Sequence, residues 1–178
     1  MKRKMKLQGL LLMATMMLAS CHTQRTIFMA GDSTAEYATQ EKKGYIRGWA
    51  QMLPQYLNDD VKMDIRARGG RSTKSFIADG IWDKLIADVK KGDYVFIQFG
   101  HNDASRNPQR HASYADYKAN LIRMINEVRA KGATPVLLTS MVQRTFQKGL
   151  LVDDRLKGYP GIVRRLAKEM DVMLIDCH

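Results

Sequence analysis

The chain has 178 residues, 45% hydrophobic and 26% charged, with 29 Lys/Arg against 18 Asp/Glu and two cysteines. That size and balance fit one domain with a real core, and they exclude a disordered, collagen-like or disulfide-stapled chain. No helix-turn-helix, zinc-finger or aromatic-interleaved basic pattern is present, so no nucleic-acid partner is expected and the positive charge reads as a solvated surface.

The first element is a leader. "MKRKMK" is a basic stretch, "LQGLLLMATMML" is an apolar run too short to span a bilayer, and Leu18-Ala19-Ser20-Cys21 follows. Small residues directly before a cysteine look like a bacterial lipoprotein signal. The expectation is a signal peptide over 1–20, acylation of Cys21, and an anchor and linker over 21–25. The protein would then be exported and held at a membrane of the cell envelope through Cys21. An ordinary secretory signal with an incidental Cys21 is the alternative. Four of the 29 Lys/Arg lie in the leader, which leaves 25 against 18 acidic residues, a net charge of +7. With Cys21 acylated, Cys177 has no disulfide partner inside the chain and reads as a small buried hydrophobe. No Cys/His spacing suits a metal, and no cofactor is expected.

A single domain is placed over 26–178. Residues 26–30 read as a short buried strand. Over 44–57, Ile46, Trp49, Met52, Leu53 and Leu57 recur at helical spacing, with Pro54 set to kink or end the helix. Residues 61–67 alternate, with Val61, Met63, Ile65 and Ala67 on one face of a strand. "GGRSTKS" reads as a loop, and 79–92 as a helix closed by Gly92. The run 93–100 suits a central strand buried on both faces. Ser113 caps an amphipathic helix over 113–132, with Asp116 completing a capping box. A strand over 134–140, a helix over 159–170 and a strand over 172–176 complete the chain. Alternation of this kind predicts an α/β fold, a five-stranded parallel sheet with helices on both faces. In such sheets ligands gather at the carboxyl ends of the strands. The three polar motifs "GDS", "GGRS" and "GHND" follow strands one, two and three.

A serine hydroxyl needs a base to become a nucleophile, and the tetrahedral intermediate needs donors aimed at its oxyanion. Ser33 at a strand end offers the hydroxyl and a backbone N–H. Gly70 permits close backbone approach, and the Asn102 side chain adds an amide donor. Taken singly, each motif has a structural reading: a turn, a glycine loop, a helix cap. Their succession after consecutive strands is what points to catalysis.

The longer stretches "GDSTAEY", "GWAQML", "RGGRSTKSF" and "FIQFGHND" resemble the SGNH (GDSL-type) hydrolase superfamily, most of all its rhamnogalacturonan acetylesterase-like branch. The resemblance implies a flavodoxin-like three-layer sandwich and a serine esterase that removes acetyl groups from a plant cell-wall polysaccharide without a metal. It makes Ser33 the nucleophile, and assigns the N–H groups of Ser33 and Gly70 and the side chain of Asn102 to the oxyanion hole. A monomer is expected, with an acetylated polysaccharide or oligosaccharide as its partner.

The family also carries an Asp-x-x-His motif after the fifth strand, which supplies the base, and a closing helix. No Asp-x-x-His occurs in these 178 residues. The expectation is therefore a domain shortened at its C-terminal end, lacking that helix and impaired in turnover. His22 reads as linker, His101 as shaping the loop or pocket, His111 as solvated, and His178 as a terminal residue poorly placed to act. Two other readings stay open: a lipase- or thioesterase-type esterase on the same scaffold, and a non-catalytic glycan-binding remnant.

Overall fold

The computed structural model describes residues 24–38, 47–143, 145–152 and 155–178. The expected acylation of Cys21, the leader before it and His22 lie outside the described residues. No helix among the described residues is long and apolar enough to cross a membrane.

Strand β1 (Arg25–Gly31) is buried from Ile27 onward, because it lies inside the sheet and meets protein on both faces. It pairs in parallel with β2 (Val61–Ile65) on one side and β3 (Tyr94–Gln98) on the other. Then come β4 (Thr134–Leu138) and, after a small exposed hairpin of β5 (Phe146–Gln147) and β6 (Leu150–Leu151), the last strand β7 (Met173–Ile175). The main sheet runs β2-β1-β3-β4-β7, five parallel strands in the doubly wound order expected of a flavodoxin-like fold.

Among the described residues four helices pack against this sheet: α1 (Thr73–Ala78), α2 (Ile81–Asp88), α3 (Tyr114–Ala130) and α4 (Tyr159–Glu169). They meet the alternate strand residues Phe28, Ala30, Val95, Ile97 and Leu137 in one large core, with Phe76, Trp82, Leu121 and Leu166 among the helical contributors. The opposite sheet face carries the complementary set. Met29 is buried there with Ala35, Ala50 and Ala67, flanked by Trp49, Met63, Ile65 and Phe96.

On that second face the helix expected over 44–57 is replaced, within the described part, by two 3-10 turns, Trp49–Gln51 and Leu53–Tyr56. The cause is tertiary. The Trp49 N–H is drawn to the Thr34 carbonyl at 2.9 Å, and Pro54 has no N–H to continue an α-helix. Toward β7 no described element covers the face. Met173 is 57% and Ile175 39% exposed, and an apolar hollow of about 330 Å3 is lined by Leu53, Phe96, Leu138, Ile175 and Cys177. Cys177 is thus half-buried in that hollow rather than sealed in the core, and burial pushes its thiol pKa up.

Two elements differ further from the pattern read in the sequence. "GGRSTKS" is not all loop: Ser72 caps α1 by accepting the Ser75 N–H, while the Ser75 hydroxyl accepts the Ser72 N–H. A serine replaces the usual Glu or Gln of a capping box, so the signal was faint. The β5–β6 hairpin turns on Lys148 (φ 50°) and Gly149 (φ 78°), the paired positive φ of a type I′ turn. At α3, Ser113 does cap the helix, but Asp116 accepts the Ser113 hydroxyl instead of its backbone N–H.

Candidate active site

Everything chemically distinctive collects where β1, β2 and β3 end. Gly31 is level with Gln98 of β3, and Met29 with Ile65 of β2, so the three following loops start side by side.

The β1 loop is built around Asp32. Its carboxylate is buried and accepts the Thr34 N–H (2.9 Å) and the Thr34 hydroxyl (2.8 Å), while its carbonyl accepts the Ala35 N–H. This Asx-type turn pulls residues 32 and 34 inward and leaves Ser33 between them exposed. No hydrogen bond joins the Ser33 hydroxyl to another described residue.

The "GWAQ" segment clamps that turn. Gln51 holds Ala38 by both its N–H (2.8 Å) and its carbonyl (3.1 Å). The Trp49 indole donates to Gln98 Oε1 at 2.8 Å, and the Gln98 amide reaches across to the Thr139 carbonyl at 3.0 Å. Gly48 lies so close that a Cβ there would sit 2.4 Å from the Glu36 carbonyl oxygen and 2.5 Å from the Ala35 carbonyl carbon. Backbone cannot yield as a flexible side chain does. Gly48→Ala is therefore expected to destabilise the fold by about 1–3 kcal/mol, seen as a drop of several degrees in melting temperature. An unchanged transition would mean the clamp is looser than its geometry.

The β2 loop is tied to the first. Arg68 N–H donates to the Gly31 carbonyl at 3.0 Å. Arg68 to Arg71 then form a turn in which Gly70 has φ +75°, the position where a type II turn needs positive φ. The Arg110 guanidinium lies over Gly70, its carbon 3.3 Å from where a Cβ would stand.

The β3 loop closes the arrangement. Asn102 is half-buried and donates one amide hydrogen to the Arg71 carbonyl at 3.0 Å, which leaves the second for a ligand. Asp103 is fully buried, and its Oδ1 accepts the Thr73 N–H (3.0 Å) and hydroxyl (2.5 Å). Its Oδ2 has no hydrogen-bond partner. Burial is the main cause that pushes the Asp103 pKa from 3.8 to about 7, against the pull of the Thr73 bonds and with help from the Asp32 charge.

The loops bearing Ser33, Gly70 and Asn102 are thus bonded to one another around an exposed hydroxyl. The histidines are placed differently. His101 has its Nε2 2.7 Å from the Met141 carbonyl and its Nδ1 4.0 Å from Asp32 Oδ2, so the ring is held within the loops. A carbonyl only accepts, so Nε2 carries the hydrogen. His111 is exposed but not merely solvated, for its Nδ1 meets the Asp103 carbonyl at 2.9 Å. His178 has its Nδ1 3.1 Å from the Ser140 carbonyl, at the end of β4. That strand is two places from β1, roughly 10 Å across the sheet. Among the described residues no group of His, Cys, Asp and Glu is placed to hold a metal ion.

Sequence reasoning missed three contributors: the Trp49–Gln98 bond, Arg110 over Gly70, and Asp103 as an anchor rather than a cap. Only the first had a signal, in the length of the "GWAQML" match.

A profile described as the GDSL-like Lipase/Acylhydrolase family matches residues 29–178. Rhamnogalacturonan acetylesterase RhgT of Bacillus subtilis is 35% identical over 150 residues, which cover 84% of this chain and 63% of that protein. The probable rhamnogalacturonan acetylesterase YesY of the same organism is 36% identical over 153 residues, 84% of this chain and 69% of that one. Among solved structures, YxiM of Bacillus subtilis superposes with a TM-score of 0.74 at 34% identity, covering 86% of this chain and 44% of its own. The acetylxylan esterase Axe2 of Geobacillus stearothermophilus shares the fold, with a TM-score of 0.63 at 20% identity over 86% of this chain and 76% of that one. The chain spans under two thirds of the length of RhgT and under half of the YxiM structure.

Proposed function

The chain belongs to the GDSL-like lipase/acylhydrolase family, and from that premise we propose that it is a serine esterase that removes acetyl groups from a plant cell-wall polysaccharide, rhamnogalacturonan or one similar. One observation carries this reading: three strand-end loops bond to each other around the exposed Ser33. The names of its two Bacillus relatives supply the substrate.

In this mechanism the Ser33 hydroxyl loses its proton to a base and its oxygen attacks the acetyl carbonyl. The N–H groups of Ser33 and Gly70 and the free amide hydrogen of Asn102 hold the oxyanion. Collapse releases the sugar hydroxyl and leaves an acetyl group on Ser33. Water then attacks that ester through a second oxyanion and frees acetate. Lipid attachment at Cys21 would hold the site at the cell envelope.

The base is the weak link. The sequence holds no Asp-x-x-His, and His101 and His178 are both engaged with carbonyls. Turnover by this form is accordingly slow. The engagement of His101 and His178 with carbonyls favours a second reading, a glycan-binding protein that does not turn over.

Acetate release from acetylated rhamnogalacturonan, alongside hydrolysis of 4-nitrophenyl esters of increasing acyl length, tests the proposal. Hydrolysis confined to short acyl chains is expected. Preference for long chains would assign a lipase-type activity, and pectic oligosaccharide bound without turnover would assign the binding protein.

A further inference from the structure

A polar groove of about 570 Å3, which the mechanism does not use, is lined by Glu36 and Tyr37 of the chain that follows Ser33 and by Arg68 and Arg71 of the β2 loop. One wall is Tyr37, four residues past Ser33 and 63% exposed. The floor is the Arg68–Arg71 turn that presents Gly70, and the far wall comes from the junction of α1 and α2 with Lys84.

The charge inside is unequal. Four cations line the groove, and two of them are already matched. Arg66 is bonded to Asp64 and Asp88, each at 2.7 Å. Arg71 Nε stands 2.6 Å from Asp79 Oδ2, close enough for an ion pair though out of line for a hydrogen bond. Arg68 and Lys84 make no ion pair or side-chain hydrogen bond with a described residue. Of the two carboxylates in the groove, Asp79 is taken up by Arg71 and Glu36 has a partner of its own. The charge left over is positive.

Its position is fixed from both sides. Arg68 donates its backbone N–H to Gly31, two residues before Ser33, and it stands two residues before Gly70. Arg71 presents its carbonyl to Asn102 while its side chain faces the groove. A sugar ring next to the acetylated one would therefore enter the groove. There Tyr37 offers an aromatic face to the apolar side of the ring. The guanidinium fork of Arg68 suits a planar carboxylate, and Lys84 adds a point charge.

We propose that this groove binds a uronate carboxylate of the polysaccharide backbone, and that Arg68 and Lys84 select acidic over neutral acetylated glycans. The inference rests on the esterase reading for the position of the acetylated ring. It adds which residues read the charge of the neighbouring sugar.

Binding to this 178-residue chain tests it without requiring turnover. Calorimetric titration should show tetragalacturonate binding about tenfold more tightly than xylotetraose at low salt. The advantage should shrink as the Debye length falls from about 30 Å at 0.01 M to about 8 Å at 0.15 M salt. Arg68→Ala with Lys84→Ala should weaken the acidic ligand by about fivefold to tenfold and leave the neutral one unchanged, and Arg68→Lys should keep part of the preference. Arg68 and Lys84 are exposed, so the folded state should survive, as a thermal melt would verify. Equal affinity for both ligands, or equal weakening of both by the double variant, would overturn the proposal. Hydrolysis of 4-nitrophenyl acetate, a neutral ester that leaves the groove empty, by the chain extended with an Asp-x-x-His segment reports separately on the esterase. Its absence with acidic selectivity intact would sink the esterase reading alone, and its presence without selectivity would sink only this one.

Discussion

Fusing after His178 a segment that carries the Asp-x-x-His pattern is expected to raise hydrolysis of 4-nitrophenyl acetate by at least about a thousandfold, and Ser33→Ala is expected to erase that gain. The reasoning is that nucleophile and base act as a unit. Either one alone contributes little, and the residual acceleration comes from the oxyanion donors. In the chain as it stands, Ser33→Ala should therefore have a small effect, because no described histidine reaches out to take the Ser33 proton. His101 is turned between Met141 and Asp32, and His178 toward Ser140. The four proteins, with and without the segment and with and without Ser33, form a double-mutant cycle whose coupling is the quantity of interest. Folding is a weak confounder, since Ser33 is exposed and its side chain supports nothing. A gain that persists in Ser33→Ala would show that another group attacks the ester. A fusion that melts cooperatively yet hydrolyses no faster would show that the Ser33 loop is not an active centre.

The second large effect concerns pH. Asp103 is buried and titrates near 7 in the folded protein, against 3.8 for an ordinary aspartate. The folded state then holds a proton between about pH 4 and 7 that the unfolded chain has released. Stability from this group is complete below pH 4, falls through that window, and is flat above pH 7. A shift of about three units corresponds to about 4 kcal/mol across the window. Asp103→Asn keeps an oxygen to accept the Thr73 N–H and hydroxyl, and it cannot ionise. The variant should gain on the wild-type protein by a few kcal/mol between pH 4 and pH 8, measured by urea unfolding at each pH. It need not be the more stable at pH 4, where a new amide sits at the unpartnered Oδ2 position. Parallel stability curves would mean that Asp103 is not the group responsible.

The inner strands were legible because each is an apolar run, and β2 because its apolar residues alternate. Residues 26–30, 93–100 and 134–140 are hydrophobic on both faces and became the three inner strands. The order of the polar motifs after them was legible for the same reason, and it placed Ser33, Gly70 and Asn102 on adjoining loops. What stayed hidden depends on contacts between distant residues. Trp49, Met52 and Leu53 have helical spacing, but Thr34 and the tight fit of Gly48 decide their backbone instead. The short α1 rests on a Ser–Ser capping box with no acidic residue to announce it. Asp103 looked like a cap, and only the Thr73 bonds across thirty positions make it an anchor. Arg110 carries no local signal at all, because it reaches Gly70 from a polar loop.

The open flank of the sheet near β7 has a practical side. Phe96, Leu138 and Ile175 form a greasy recess that water wets while the chain is fully folded, at about 25 cal/mol for each square ångström left uncovered. Fluorescent dyes that seek oil-like surfaces will glow on this 178-residue chain before any heat is applied. Circular dichroism is thus the sounder thermometer for every variant described above, and a low-micromolar sample with mild detergent the sounder solution in which to take the reading.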